Sequence, residues 1–393
     1  MKRRFTATAF LLALLASISA TGTARAVPVT PPVASDCSQD VTDAFNSWLA
    51  TVPDGATIRL ARNGCYLSNG SITFTQRRNI TIEGNGATVK ATVDAPVSTN
   101  RARLWFDRGG GFVVRDLTLQ GTNFSEHCAV VAQPSCYDSA REHDAGVKIG
   151  GADGVLLERL HIENTWGDAV ELFSGGTWDG QGNGAVAPRD VTVRDSTVHT
   201  TGRHAFSCDN CHNYVIEHND VSNVGYWMTD VEIEGAVWTG DVTLVRNTYR
   251  DVYLGLLAAA SDYGVKPGPF ILRDNVQTSD PVTCYPPVYI APPTNEYGPA
   301  RVTGNSLRSF GTTIALGNVS RADVSGNTTT IQAGGCGFAA GVELVDVPSG
   351  EVVHNTFIGA DAVVQNYSST VTVCGNRTTA TGPYDKPVPC GKV

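Results

Sequence analysis

Short alternating β-runs recur along most of this chain, and the way they end leaves few folds open. They are ITIEGN (80–85), VVRDL (113–117), LLERL (156–160), VTVRDS (191–196), VIEHN (215–219), VTLVRN (242–247), ILRDN (271–275), RVTGN (301–305), ADVSGN (322–327), VVHN (352–355) and VTVCGN (371–376). Eight of the eleven end in Asn, and from Asn219 onward the Asn positions are spaced by 28, 28, 30, 22, 28 and 21 residues. A second β-run lies between successive members, among them AGVKIG, DAVELF, HAFSCD, DVEIEG and LGLLA. Self-similarity at this period, with no amphipathic helix between the runs, describes a β-solenoid. Two roles are open to the recurring Asn. It tolerates the left-handed backbone of a turn, and its amide can hydrogen-bond from one coil to the next. Composition agrees: 17% of residues are charged, against about 25% in an average globular protein, and there are 41 glycines for turns.

The first 26 residues carry Lys2, Arg3, Arg4 and Arg25, no acid, an apolar run from Phe10 to Leu15 and an Ala24-Arg25-Ala26 end. This is the pattern of a secretory signal peptide. Its removal would leave 25 basic against 38 acidic residues, a net charge of −13. Nucleic acid and anionic membrane are poor partners for such a surface, and no later stretch reaches the roughly 18 apolar residues of a membrane span. A secreted, extracellular protein is expected, with no membrane contact after signal cleavage. Its ten cysteines suit an oxidising compartment. Nearest-neighbour pairing is the simplest arrangement: Cys37–Cys65, Cys128–Cys136, Cys208–Cys211, Cys284–Cys336 and Cys374–Cys390. Cys208-Asp209-Asn210-Cys211 also resembles a redox or zinc motif. With no second CxxC and no βαβ context, a structural disulfide is the better reading.

The repeat resembles the right-handed parallel β-helix of the pectin-lyase-like superfamily, over roughly residues 79–380. The resemblance implies an all-β, single-domain solenoid of about eleven coils. It implies an N-terminal segment and cap over 27–78, in which a short amphipathic helix within 36–50 lays Trp48 and Leu49 on the first coil. A tail over 381–393 would be tied by Cys374–Cys390. Capping is also a physical requirement, since an open coil end exposes unpaired strand edges.

Strand alternation places side chains. Aligning the second runs by coil length gives an inward column of Val147, Val170, Phe206 and Val231. The outward column is then Lys148, Glu171, Ser207 and Glu232, followed two residues on by Gly150, Phe173, Asp209 and Glu234; Asp230 falls one step earlier, with Gly146. Coils are about 4.8 Å apart and same-face residues on a strand about 6.8 Å apart. Acids are therefore concentrated on the middle coils, whereas later coils carry apolar or small residues at these positions. Crowded carboxylates suit catalysis, a shared proton or a cation; the alternative is an incidental acidic surface. The candidate catalytic residues are Asp230, Glu232, Glu171, Arg203 and His204. Aromatics suit the apolar faces of sugar rings, so Lys148, Trp166, Trp178, Tyr226 and Trp227 are the candidate substrate-binding residues, with Trp238 nearby. Each Trp could equally be packing, and Lys148 and Arg203 could equally be ion-pair partners. The insertions 121–144 and 174–189 flank this face and could wall a groove. The segment Thr201–Gly235 also resembles one found in secreted bacterial β-helix proteins, which supports Arg203, Asp230 and Glu232 as site members.

Glycoside hydrolysis needs one protonated and one ionised carboxyl group, about 6.5–9.5 Å apart for inversion and about 5 Å for retention. Asp230/Glu232 or Glu171/Glu232 would suit inversion, the outcome expected by analogy with β-helix hydrolases. The polygalacturonase pattern is absent: no Asn-Thr-Asp, Asp-Asp, Gly-His-Gly or Arg-Ile-Lys occurs. A uronate lyase would use Arg203 or Lys148 as base, with Asp209, Glu232 and Glu234 holding Ca²⁺. However, the lyases with a Glu-x-Glu calcium site place their Lys and Arg after it, and here both precede it. An epimerase would need an Asp-Pro-His that is missing. A non-catalytic glycan-binding or surface protein is the competing class. The expected partner in every case is an extracellular polysaccharide, and the charge favours a neutral or mixed glycan.

Overall fold

The computed structural model describes residues 27–97, 99–129, 136–176, 185–232, 240–260, 268–292, 296–332, 336–378 and 390–392. The expected signal peptide, Trp178, Glu234 and Trp238 lie outside them. Most coils contribute three short strands, as in Arg189–Arg194, Thr197–Thr201 and Phe206–Cys208; in Thr81–Ala91, Gly110–Gln120 and Asp153–Thr165 the first two run on as one strand. The first two join a 23-stranded sheet and the third joins an 11-stranded one. Every coil-to-coil strand pair is parallel, so the chain winds as a parallel β-helix of eleven coils. Alternate residues point inward and stack by type. The column Val147, Val170, Phe206, Thr229, Leu257, Val288, Ile314 is buried throughout.

The asparagines form a continuous buried ladder. The Nδ2 of Asn247 donates to Oδ1 of Asn275 at 2.9 Å and to the Ile216 carbonyl one coil back at 2.9 Å, and its backbone N–H reaches the same Oδ1 at 3.0 Å. The pattern repeats through Asn219, Asn275, Asn305, Asn327 and Asn355 and ends at Asn376. Where the repeat has Ser196, its N–H donates to Oδ1 of Asn219 and its hydroxyl accepts from the Leu160 amide. Of the two roles open to Asn, the ladder is the one used along this column. The left-handed backbone falls one residue earlier, at Asp195, His218, Arg246, Asp274, Gly304, Gly326, His354 and Gly375. Turning the preceding residue left-handed aims the Asn amide along the helix axis, where both its polar ends are satisfied.

A second ladder lies on the outside of the large sheet. Arg59, Glu83, Arg115, Glu158 and Arg194 stand in register. Their successive contacts are 2.6, 2.9, 3.8 and 2.7 Å. Each pair contributes little by itself, but alternating charge disfavours slipped pairings and so helps hold register.

At the N-terminal end the segment read as one helix is divided. Asp36–Asp40 is a strand paired with Cys65–Ser68, and the helix is Thr42–Leu49. Phe45 and Leu49 are buried against the first coil, while Trp48 is only partly buried and packs edge-on against Phe45 at 5.6 Å. At the other end Gly391–Lys392 pairs antiparallel with Thr372–Cys374, beside the Cys374–Cys390 disulfide. This pairing covers a strand edge. The other disulfides are Cys37–Cys65, Cys128–Cys136, Cys208–Cys211 and Cys284–Cys336. Among the described residues no helix is long and apolar enough to cross a membrane.

The ladder predicts the cost of breaking it. Asn275→Ala strands the Asn247 donors and the Leu244 carbonyl, and should lower stability by about 3 kcal/mol. Arg250→Ala removes only the exposed pair with Asp220 and should cost under about 1 kcal/mol. Urea unfolding of the two variants beside wild type checks this.

Candidate active site

The site grows from three adjacent strands of the smaller sheet: Val170–Phe173, Phe206–Cys208 and Trp227–Val231. Their outward column reads Lys148, Glu171, Ser207, Asp230, then Ala258 and Tyr289. This corrects the alignment made from coil lengths, which placed Glu232 opposite Ser207. Thr229, not Val231, fills the inward place beside Phe206, and Val231 pairs with Cys208. A shift of two preserves the side-chain face, so Asp230 and Glu232 remain outward although their neighbours change. Glu232 follows Val231 and its N–H donates to the Cys208 carbonyl. With Cys208 opposite Val231, Asp209 stands one coil below Glu232, and its expected neighbour Glu234 lies outside the described residues.

Asp230, Glu232, Arg203 and His204 are brought together. His204 Nε2 lies 3.1 Å from Asp230 Oδ2, and Arg203 Nη2 lies 2.5 Å from Glu232 Oε2. The Trp227 amide donates to His204 Nδ1 at 3.3 Å. That bond leaves the ring proton on Nε2, directed at Asp230. Arg203 and His204 enter the last strand but one from the same turn and share an anchor that sequence reasoning missed. Asp168, wholly buried, accepts the His204 backbone N–H at 2.9 Å, the Ser207 hydroxyl at 2.6 Å and Arg203 Nη1 at 3.3 Å. Its signal was its place in Gly167-Asp168, the turn aligned one coil before Arg203-His204. An Asp at a turn ordinarily reads as a local hydrogen-bonding residue.

The two carboxyl groups are driven apart electrostatically. Burial would raise Asp230, but the His204 ring that faces it, the Arg203 charge and a hydrogen bond from Glu232 outweigh it and hold Asp230 below the usual carboxylate range. Glu232 is raised above its usual range: burial and the nearby Asp230 charge outweigh Arg203 and His204. Burial works against the Arg203 cation too, yet Asp168, Glu232 and Asp209 together keep it charged well beyond the ordinary range. One oxygen of Asp230 lies within 4.8 Å of one of Glu232, closer than the strand spacing suggested and closer than a water-admitting inverting pair.

Other expected site residues do not join this cluster. Lys148 is only 1% exposed, and its Nζ lies 2.8 Å from Glu171 and 2.6 Å from Asn100 Oδ1. Despite burial, Lys148 and the adjacent His143 hold Glu171 below its usual range. Glu171 and Lys148 are therefore a buried ion pair, with Glu171 two coils (about 9.6 Å) and Lys148 three coils from Asp230. Trp166 is turned away: its Nε1–H donates to Thr122 Oγ1 and its ring carries Arg141 at 4.6 Å. Tyr226 and Trp227 do line the groove, of about 400 Å³, together with Tyr137, Tyr285 and Tyr289. Tyr137 comes from the 121–144 insertion, which Asn223 clamps by accepting from the Cys128 amide and donating to the Ser125 carbonyl. Its ring lies 4.8 Å from Tyr226.

One oxygen each from Asp230 and Glu232 and one His204 nitrogen lie within 4.8 Å of one another. The donor set does not fit Ca²⁺, which takes six to eight oxygens. His204 presents N–H there, and Glu232 is already bound to a cationic Arg203. Of the Asp209, Glu232 and Glu234 set expected from sequence, only the first two are described.

No protein-family model and no curated protein sequence matches this chain. Solved structures do. The tailspike protein of E. coli bacteriophage HK620, in complex with a pentasaccharide, is similar with a TM-score of 0.58 at 12% identity, over 89% of this chain and 64% of that one. A hyperthermoactive exopolygalacturonase from Thermotoga maritima gives 0.54 at 11% identity, over 93% and 95%. The A-module of an Azotobacter vinelandii mannuronan C-5 epimerase gives 0.52 at 16% identity, over 88% and 97%. These neighbours are pectin-lyase-like proteins, and the fold of this chain is their right-handed parallel β-helix. At such identities the likeness extends to the fold alone.

The Lys148–Glu171 assignment has a direct consequence. Lys148→Met leaves a buried carboxylate without its counter-ion and should lower stability by about 3–5 kcal/mol. Replacing both residues by Met and Leu should restore most of it, as read by thermal unfolding.

Proposed function

We propose that this protein cleaves glycosidic bonds of an extracellular polysaccharide by carboxyl acid–base chemistry in the groove over Asp230 and Glu232. The observation that carries this reading is the pair itself: two adjacent carboxyl groups, one depressed and one raised, at the foot of an aromatic-walled groove. Environments that split two carboxyl groups in this way separate the acid from its ionised partner. Glu232, with 39% of its side chain exposed, is the proton donor to the glycosidic oxygen. Asp230 stays ionised and faces the positive charge that develops at the anomeric carbon as the C–O bond breaks; water then adds to that carbon and its proton returns to Glu232. His204 keeps Asp230 charged, Arg203 aims Glu232, and Asp168 fixes both from beneath. Structural neighbours that act on or bind glycans lend general support.

β-Elimination draws less support. It asks Arg203 or Lys148 to act as base, but Arg203 is held cationic by the acids around it, Asp168 first, and Lys148 is buried against Glu171.

Screening residues 27–393 on neutral and uronic polysaccharides tests the proposal. New saturated reducing ends are expected, without ultraviolet-absorbing unsaturated ends and without inhibition by a chelator. Glu232→Gln and Asp230→Asn should each lower kcat by about 10²–10⁴-fold while unfolding like wild type. Unsaturated products, or full activity in either variant, would refute it.

The pH profile follows from the two shifts. Activity requires Asp230 ionised, hence pH above its depressed pKa, and Glu232 protonated, hence pH below its raised one. Activity should fall on the alkaline side as Glu232 loses its proton, and on the acid side only below the usual Asp range. Arg203 lowers both groups, so Arg203→Gln should move both limbs of the kcat/KM profile to higher pH.

A further inference from the structure

Beside the carboxylate groove, toward the C-terminal coils, lies a second cavity of about 580 Å³. Tyr253, Tyr285, Phe310 and the Cys284–Cys336 disulfide form its walls. Tyr285 lines both cavities, so the two adjoin at its ring. The aromatic rings run in sequence along the helix axis. Tyr226 is 6.3 Å from Tyr253, and Trp227 is 6.5 Å from Tyr285. Tyr285 is 58% exposed, unusual for so large a ring, and the disulfide ties its segment to one 52 residues further along the chain. A rigidly held, exposed ring next to a reactive groove is placed to stack against a ligand.

The charges in this track are informative. No ionisable acid or base lines the second cavity among the described residues. In the first, the cation Arg203 is committed to Asp168 and Glu232. A uronate carboxylate entering here would lose water without gaining a free counter-charge, and would meet Asp230. The C–H face of an uncharged sugar loses nothing of that kind on a tyrosine ring.

We infer that the Tyr253–Tyr285–Phe310 cavity is an extended sugar-binding track, and that the chain it holds is an uncharged glycan running from the carboxyl pair toward the C-terminal coils. This rests on the proposed function for the identity of the ligand as a glycan, but binding can be measured without turnover.

Affinity electrophoresis in gels containing dextran, laminarin, xylan or galactomannan, beside gels containing polygalacturonate or alginate, tests it. Wild type and the Glu232→Gln variant should both be retarded by at least one neutral glycan and by neither uronate. Tyr285→Ala combined with Phe310→Ala should weaken that retardation about tenfold, while Tyr285→Phe, which keeps the ring, should preserve it. Retardation by a uronate polymer, none by any of the four neutral glycans, or unchanged retardation in the double variant would each overturn the inference. If binding follows these expectations while Glu232→Gln keeps full activity on the same glycan, the track stands and the catalytic assignment falls.

Discussion

Parallel pairing of one coil on the next is the constraint on which everything else in this molecule rests. It holds neighbouring strands about 4.8 Å apart and decides which residues stack. The buried Asn ladder strengthens this pairing at one corner of each coil, because every amide is satisfied only when the coil above and the coil below are in place. A solenoid built this way has no other long-range scaffold, so each coil depends on its neighbours. Its ends need separate covers, supplied here by Thr42–Leu49 and by the antiparallel Gly391–Lys392 strand.

The same pairing creates the site. Three consecutive coils place Asp168, Arg203-His204 and Asp230 side by side, and the backbone step from Asp230 to Glu232 adds the second carboxyl group. Such crowding of acids is costly unless cations intervene. Arg203 and His204 meet that cost unequally. His204 faces Asp230 and helps hold it below the usual carboxylate range, whereas burial and the Asp230 charge raise Glu232 despite its contact with Arg203. The opposite shifts of the two acids thus follow from which group each one faces and how deeply each is buried.

Two acids that looked similar in sequence have different uses. Glu171 and Asp230 share one outward column, yet Glu171 meets Lys148 one coil earlier and is spent in a buried ion pair. No column arithmetic distinguishes them, because the difference lies in which long side chain reaches which coil. Trp166 and Tyr137 make the reverse exchange. The Trp expected near the sugars packs under Arg141, while a Tyr in an insertion takes a place on the groove wall.

The sequence alone determined the solenoid, the recurring Asn corner and the outward face of Asp230 and Glu232. These depend on local periodicity: alternation has a period of two, and a repeat declares itself wherever it occurs. Only the tertiary structure decided the register between the third and fourth of the acidic coils, since a shift of two residues leaves the inward and outward pattern unchanged. It also decided that Asp168 is the buried anchor, that Lys148 and Glu171 neutralise each other, and that their surroundings push Asp230 and Glu232 in opposite directions. Those outcomes depend on burial and on hydrogen bonds between residues 23 to 39 positions apart in the chain, which no local pattern records.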